Sequence, residues 1–169
     1  MWSRQSYRMG PQDFTANKEE NIGIDWPVRY DEISPWYDYV ERFAGIAGNR
    51  DGLKQLPDGE FQPAFELTCA EKEFKTRVEA AFPGRNVIQA RVAHITAVTD
   101  EQRALGRTNC QAQNRCHFGC SFKAYFSSLH ATLPAAQRTG NLTMVHNAIV
   151  QSVEFDAESN RVTGVRVVD

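Results

Sequence analysis

Long segments of this 169-residue chain lack any period of apolar residues, and this constrains the fold more than any other feature. Residues 1–30 carry scattered aromatic side chains and two prolines, and residues 49–63 are rich in Gly, Pro and Asp. A further loop covers 106–126. Irregular segments of this length are uncommon inside a compact domain. We therefore expect an internal part of a longer protein, in which Met1 is not the true start.

The periodic segments predict regular elements between these stretches. Ser34 and Pro35 are expected to open a helix over 35–45, which Gly45 or Gly48 ends. A T-x-x-E capping box at Thr68 begins a second helix that runs to about Ala81. The other predicted elements are a strand at 86–98, a helix from Ser127 or Ser128 to about Arg138, and strands at about 142–155 and 162–168.

The order of these elements indicates a mixed α/β (α+β) fold without a βαβ rhythm. The last two strands are expected to form a hairpin, in which Val150, Val153 and Phe155 face Val162, Val165 and Val167. A net charge of −2 without a run of Lys and Arg argues against a nucleic-acid partner. No apolar stretch approaches the ~20 residues of a membrane span.

Three of the four cysteines lie in one short loop, N109-C-Q-A-Q-N-R-C-H-F-G-C-S121. Cys110, Cys116 and Cys120 have the spacing C-x5-C-x3-C. Thiols so closely grouped are typical of an iron–sulfur or other metal site, of a disulfide with one thiol left over, or of a purely structural turn. Zinc needs a fourth ligand, and His117 is the local candidate.

The remaining candidate residues have structural interpretations. Cys69, early in a capped helix, is predicted to be buried and inert. His94, His130 and His146 are isolated in the sequence and fit no catalytic spacing, so they are predicted to be structural.

Three stretches together carry a family resemblance: M1-W-S-R-Q5, D25-W-P-V-R-Y-D-E-I-S-P-W-Y-D-Y-V-E41, and the run from Cys110 to Asp169 with its motif Y125-F-S-S-L-H-A-T-L-P-A-A136. In their order they resemble the glucose–methanol–choline (GMC) family of flavin-dependent oxidoreductases. The nearest branch looks like its bacterial sugar and polyol dehydrogenases.

The resemblance implies a partial FAD-binding domain of the FAD/NAD(P)-binding Rossmann-like type, with part of a substrate-binding domain. Residues 1–14 would lie next to the flavin, 15–105 would form the lid and part of the substrate-binding domain, 106–126 the cysteine loop, and 127–169 the return to the FAD-binding domain. The family's G-x-G-x-x-G motif and catalytic His have no counterpart here. No catalytic residue is therefore expected in this chain, which alone would be inactive.

The same resemblance implies the cofactors and their contacts. Trp2, Ser3, Arg4 and Val150 match positions that contact FAD. Some sugar dehydrogenases of the family place three cysteines at this spacing and bind a [3Fe-4S] cluster, although here Gln111 stands where some have an adjacent cysteine and Ser121 where a Pro is common.

The implied activity is hydride transfer to flavin from a CH–OH group of a sugar, glycoside or polyol, with an electron-accepting subunit or cytochrome as partner. Two other functions remain open: a free-standing iron–sulfur or zinc module for electron transfer, and a non-catalytic interaction domain. The compartment is open between the periplasm and the cytoplasm.

Overall fold

The computed structural model describes residues 5–168, which divide into two units. The larger unit ends at Ala135 and the smaller one begins at Ala136. The helices are α1 (Ala16–Glu19), α2 (Tyr30–Ala44), α3 (Cys69–Ala81), α4 (Asp100–Ala104) and α5 (Thr132–Arg138), with 3-10 turns at Pro11–Phe14 and Cys116–Phe118, and the strands are β1 (Ile149–Asp156) and β2 (Arg161–Val168). The predicted mixed α/β class is confirmed.

Helix α2 begins five residues before the predicted start. The Glu32 carboxylate accepts a hydrogen bond from the Arg29 backbone N–H at 2.7 Å, so the cap lies at Arg29 and the prediction of Ser34 as the cap was wrong. The end of the helix is as predicted, because Gly45 adopts the left-handed conformation with φ 78°.

Capping boxes fix the starts of α3 and α4. The Glu71 carboxylate accepts the Thr68 N–H at 2.7 Å, which confirms the predicted start of α3. Helix α3 buries none of its residues, and Cys69 is exposed, so the prediction of a buried Cys69 was wrong. A second box, with the Gln102 N–H donating to Thr99 Oγ1 at 3.2 Å, begins α4, which was not predicted.

The prediction of a strand at 86–98 was wrong, because these residues do not pair continuously with any other strand. The centre of this stretch buries Arg91, Ala93 and Ile95, but it bends at Ala93 and pairs only through single bridges such as Ala47 with Val92. Ala93 packs with Ala44 and Ile46 in the core of the larger unit, and Phe61 and Phe126 pack around them.

A buried arginine attaches the N-terminal segment to α2. Arg8 Nη2 lies 2.6 Å from Glu41 Oε2 and 2.6 Å from Asp38 Oδ1, and its Nη1 donates to the Tyr30 hydroxyl at 3.1 Å. Burial alone would lower the pKa of Arg8, but the hydrogen bonds with Glu41, Asp38 and Tyr30 outweigh it and raise that pKa. Charge pairing thus attaches the segment around Arg8 to α2, while a 3-10 turn and α1 follow it where the sequence predicted no regular structure.

Helix α5 begins at Thr132, later than predicted. Ser127 caps a preceding turn instead, since its Oγ accepts the His130 N–H at 3.2 Å. In this respect the predicted start at Ser127 or Ser128 was wrong by one turn.

The hairpin of β1 and β2 has the predicted antiparallel register. Val150 lies opposite Val167, Val153 opposite Val165 and Phe155 opposite Val162. Two irregularities in the ladder, between Val150 and Ser152 and between Glu154 and Phe155, keep these six residues paired with one another. They are here called the apolar hairpin face, and each is between 46% and 63% exposed. Within residues 5–168 this is the one sheet, so a Rossmann-like FAD-binding domain stays a prediction.

In the described part of the chain, no helix has the length and apolar character that crossing a membrane requires.

Candidate thiol site

The base of the cysteine loop is closed by backbone hydrogen bonds. The Thr108 N–H donates to the Phe122 carbonyl at 3.0 Å, and the Cys110 N–H donates to the Ile95 carbonyl at 2.8 Å. The Asn109 side chain adds a third attachment, since its Oδ1 accepts the Val98 N–H at 2.7 Å. The position of Cys110 is therefore fixed by the buried segment around Ile95.

Beyond this base the chain reverses direction through residues in the left-handed region. Ala112 has φ 52°, Asn114 φ 54° and Gly119 φ 98°. Gly119 follows the 3-10 turn Cys116–Phe118 and directly precedes Cys120. These reversals return the second and third cysteines toward the first.

The three thiols line one cavity of about 300 Å³. Residues 110–116 and 119–122 form most of its wall, and Phe65 and His94 complete it. All four cysteines of the chain are free, so the disulfide interpretation is not realised in this structure. The structure thus brings together the three cysteines that the spacing singled out.

Electrostatics show that the thiols act on one another. Burial raises the pKa of the Cys116 thiol, and the negative charges of Cys110 and Cys120 raise it further. Thiolates gathered in this way repel each other, so a bound cationic centre would relieve the repulsion.

Arg107 lies three residues before Cys110, at the base of this loop. Its guanidinium is fully buried and donates to the carbonyls of Ala44 at 2.9 Å, Lys123 at 3.1 Å and Phe43 at 3.2 Å. Burial lowers the pKa of Arg107 to about 10, and the opposing charge of Cys120 raises it in part. Arg107 is therefore still protonated at neutral pH.

Three thiols are donors that both an iron–sulfur cluster and zinc can use, and the two differ in the arrangement of sulfur atoms that they require. Among residues 5–168, no group of three or more His, Cys, Asp or Glu is arranged to hold one metal ion. Zinc requires every sulfur about 2.3 Å from one point. A cluster binds each thiolate to a different iron, so its ligands stand further apart. His117, the predicted fourth zinc ligand, is exposed and is not part of the cavity wall.

Of the other predicted site residues, only Val150 belongs to the part of the chain that the structure describes. Trp2, Ser3 and Arg4 lie outside the described residues. Val150 lies in β1 with its side chain about half exposed. Phe65 and His94 were missed as cavity residues because they are 45 and 16 positions before Cys110 in the sequence, and no local pattern marks them.

No protein-family model matches this chain. The chain is similar to the fructose dehydrogenase large subunit of Gluconobacter japonicus, with 26% identity over a 174-residue alignment. The alignment covers 99% of this chain and 30% of that subunit. The chain is thus distantly related to a dehydrogenase subunit and spans about 30% of its length.

Proposed function

We propose that this chain is part of an FAD-dependent dehydrogenase that oxidises a CH–OH group of a sugar, glycoside or polyol. The observation that carries the proposal is the similarity to a fructose dehydrogenase large subunit along 99% of the chain. The family resemblance of the first, second and last stretches of the chain agrees with it, and membership of the GMC family is part of the proposal.

FAD, when bound, would accept hydride from the substrate. Trp2, Ser3, Arg4 and Val150 are the residues of this chain that would contact it. The apolar hairpin face around Val150 is exposed, and an exposed apolar patch is characteristic of a surface that contacts other protein. It therefore supports the proposal that this chain is part of a larger protein.

The cysteine loop would hold a [3Fe-4S] cluster through Cys110, Cys116 and Cys120. Such a cluster supplies one-electron transfer. Three observations support this. The three cysteines line one cavity, and none of them forms a disulfide. The charges of Cys110 and Cys120 also raise the pKa of Cys116, after burial. The backbone hydrogen bonds of Thr108 and Cys110 would hold the base of the loop, and with it the Cys110 sulfur, in place.

The proposed partners follow from this activity. The substrate is a sugar or polyol, and an electron-accepting subunit or cytochrome would take electrons onward. The substrate base is expected outside this chain, so the chain by itself should not turn over substrate.

The second candidate function is a free-standing iron–sulfur module for electron transfer. It would rest on the same three thiols, which belong to one loop and line one cavity. A zinc module at the same three thiols is the alternative metal form of this candidate.

One preparation tests these functions. The full-length protein is purified without oxygen, and flavin, iron and labile sulfide are measured per chain, with sugar-dependent reduction of a dye as the activity. We expect flavin and about three irons per chain. Iron without flavin would support the free-standing module, and flavin without iron would refute the cluster.

A matched pair of variants assigns the cluster to the loop. Cys110→Ser should lower the iron content to well below that of the wild type. Cys69→Ser is the control, because Cys69 is a free thiol exposed at the start of α3. Equal iron contents in the two variants would contradict the assignment.

A further inference from the structure

The larger unit contains a second cavity, here called the polar cleft, beside the thiol cavity. Its volume is about 430 Å³, which is in the range of small-molecule sites. Residues 49 and 51, 64–67, 87–89, and 72 and 75 of α3 form its wall. Phe65 lines both the polar cleft and the thiol cavity. Segments that are distant in the sequence thus meet at one concave surface.

Two oxygen atoms in the wall of the polar cleft lack hydrogen bonds. Asp51 Oδ2 and Gln89 Oε1 are buried, and neither accepts a hydrogen bond from any residue between 5 and 168. Buried acceptors without a partner are rare in folded proteins, because they destabilise them. The last side-chain torsion of Asp and of Gln is broad, so a small rotation turns either oxygen toward the cleft. The wall therefore offers two acceptors to a ligand that donates hydrogen bonds.

The two lysines of the wall differ in how firmly they are held. Lys75 Nζ donates to Glu79 Oε1 at 2.8 Å and to the Val87 carbonyl at 2.5 Å, so it connects α3 to the stretch that carries Gln89. Lys72 Nζ lies 3.4 Å from Glu66 Oε2, and both of these side chains are mostly exposed. An exposed pair of this kind contributes little to stability. Lys72 is thus a donor that a ligand in the cleft can recruit.

The polar cleft is balanced in charge and has an apolar side. Its charged residues are two carboxylates and two ammonium groups: Asp51, Glu66, Lys72 and Lys75. Phe65 adds an aromatic ring to the same wall. A neutral ligand suits this balance better than an ion does. Hydroxyl groups both donate and accept hydrogen bonds, and C–H groups pack on an aromatic ring.

We propose that the polar cleft is a binding site for a neutral polyhydroxylated small molecule, a sugar or a polyol. Asp51 and Gln89 accept hydrogen bonds from its hydroxyl groups, Lys72 donates to a hydroxyl oxygen, and Phe65 packs against its C–H groups. This site requires neither flavin nor a cluster. It therefore goes beyond the proposed dehydrogenase activity and is tested separately from it.

Hydrogen–deuterium exchange of the full-length protein, with and without sorbitol, tests the site. Sorbitol is neutral and carries a hydroxyl group on every carbon. We expect it to slow backbone exchange in the segments 49–51 and 87–89, because both line the cleft. Hexamethylenediamine has the same chain length but two cationic amines in place of the hydroxyl groups, and it should not slow exchange there.

Two variants assign the binding to the wall, with affinity measured from the sorbitol concentration that gives half of the protection. Asp51→Asn should weaken binding about tenfold, because hydrogen bonds to a charged acceptor are the stronger ones. Gln89→Leu should weaken it about fivefold without lowering the melting temperature, because it removes a buried acceptor that has no partner. Gln55→Leu is the matched control, since Gln55 is exposed and lies outside the cleft wall.

Three results would overturn the inference: no protection by sorbitol, protection by the diamine in its place, or equal affinities in Asp51→Asn and Gln55→Leu. A lowered melting temperature in Gln89→Leu with unchanged affinity would show that Gln89 is structural, and would also count against the site. A protein that lacks flavin and iron but still shows the protection would refute the proposed dehydrogenase and leave the polar cleft as a binding site.

Discussion

Removal of the charge on Glu41 should destabilise the larger unit far more than removal of an exposed charge. Glu41 and Arg8 are 7% and 6% exposed, and two hydrogen bonds of 3.1 Å and 2.6 Å join them. The same carboxylate accepts the Glu60 N–H at 2.8 Å. One side chain thus connects α2 to two irregular segments.

The magnitude follows from burial. Removing one partner of a buried ion pair costs about 3–5 kcal/mol, because the other charge is left uncompensated. In Glu41→Gln the amide still forms hydrogen bonds, and Asp38 still pairs with Arg8 at 2.6 Å. We therefore expect the free energy of unfolding to fall by about 3 kcal/mol, the lower end of that range. At the scale of this chain, this lowers the melting temperature by roughly 10 °C.

The control is Glu73→Gln, which breaks a 2.7 Å pair with Arg77 on the surface of α3, where both side chains are mostly exposed. Such a pair contributes about 0.5 kcal/mol or less. Urea unfolding followed by far-ultraviolet circular dichroism measures both variants. Equal losses of stability in the two variants would refute the claim that burial, not charge pairing alone, sets the contribution of Glu41.

Two further predictions use single sites. Gly59→Ala should destabilise the protein by about 2 kcal/mol or more, because the new Cβ would clash with the Glu41 carboxylate and the Arg8 guanidinium, whereas Gly164→Ala meets no atom within 4 Å; equal melting temperatures of the two variants would contradict this. In the metal-free protein, half-maximal alkylation of Cys116 should occur at a more alkaline pH than for an ordinary thiol, because its pKa is raised. Since the folded state holds this proton more tightly, its contribution to stability is present below the ordinary thiol pKa and is lost as the pH rises through the raised value. Replacing Cys110 and Cys120 with Ser should move the alkylation midpoint of Cys116 to lower pH, and no movement would show that the three thiols do not interact.

Local signals in the sequence were sufficient for the elements that depend on neighbouring residues. The box at Thr68 and Glu71 fixed the start of α3, and Gly45 the end of α2. The hairpin register was also predictable, because a one-residue shift would move its apolar residues to the other face. These features depend on contacts within a few residues or across one turn.

Features that depend on distant contacts were not predictable in this way. The stretch 86–98 has the composition of a strand, yet its centre is surrounded by irregular segments and forms single bridges. The partners Arg8 and Glu41 are 33 residues apart, and no pattern in the sequence links them. Composition indicates that such residues are buried or extended, but the partner is set by the tertiary fold.

The cysteine loop shows why spacing alone cannot define the chemistry of a site. The spacing identified the three thiols, but Phe65 and His94 complete the cavity from outside the loop. The buried guanidinium of Arg107 donates to a carbonyl 64 residues away. A peptide with the same spacing would have the donors without the positive charge of Arg107. Arg107, which precedes the loop, ties its base to the end of α2 through hydrogen bonds to the carbonyls of Phe43 and Ala44. The position of the loop therefore depends on the end of α2 as well as on its own sequence.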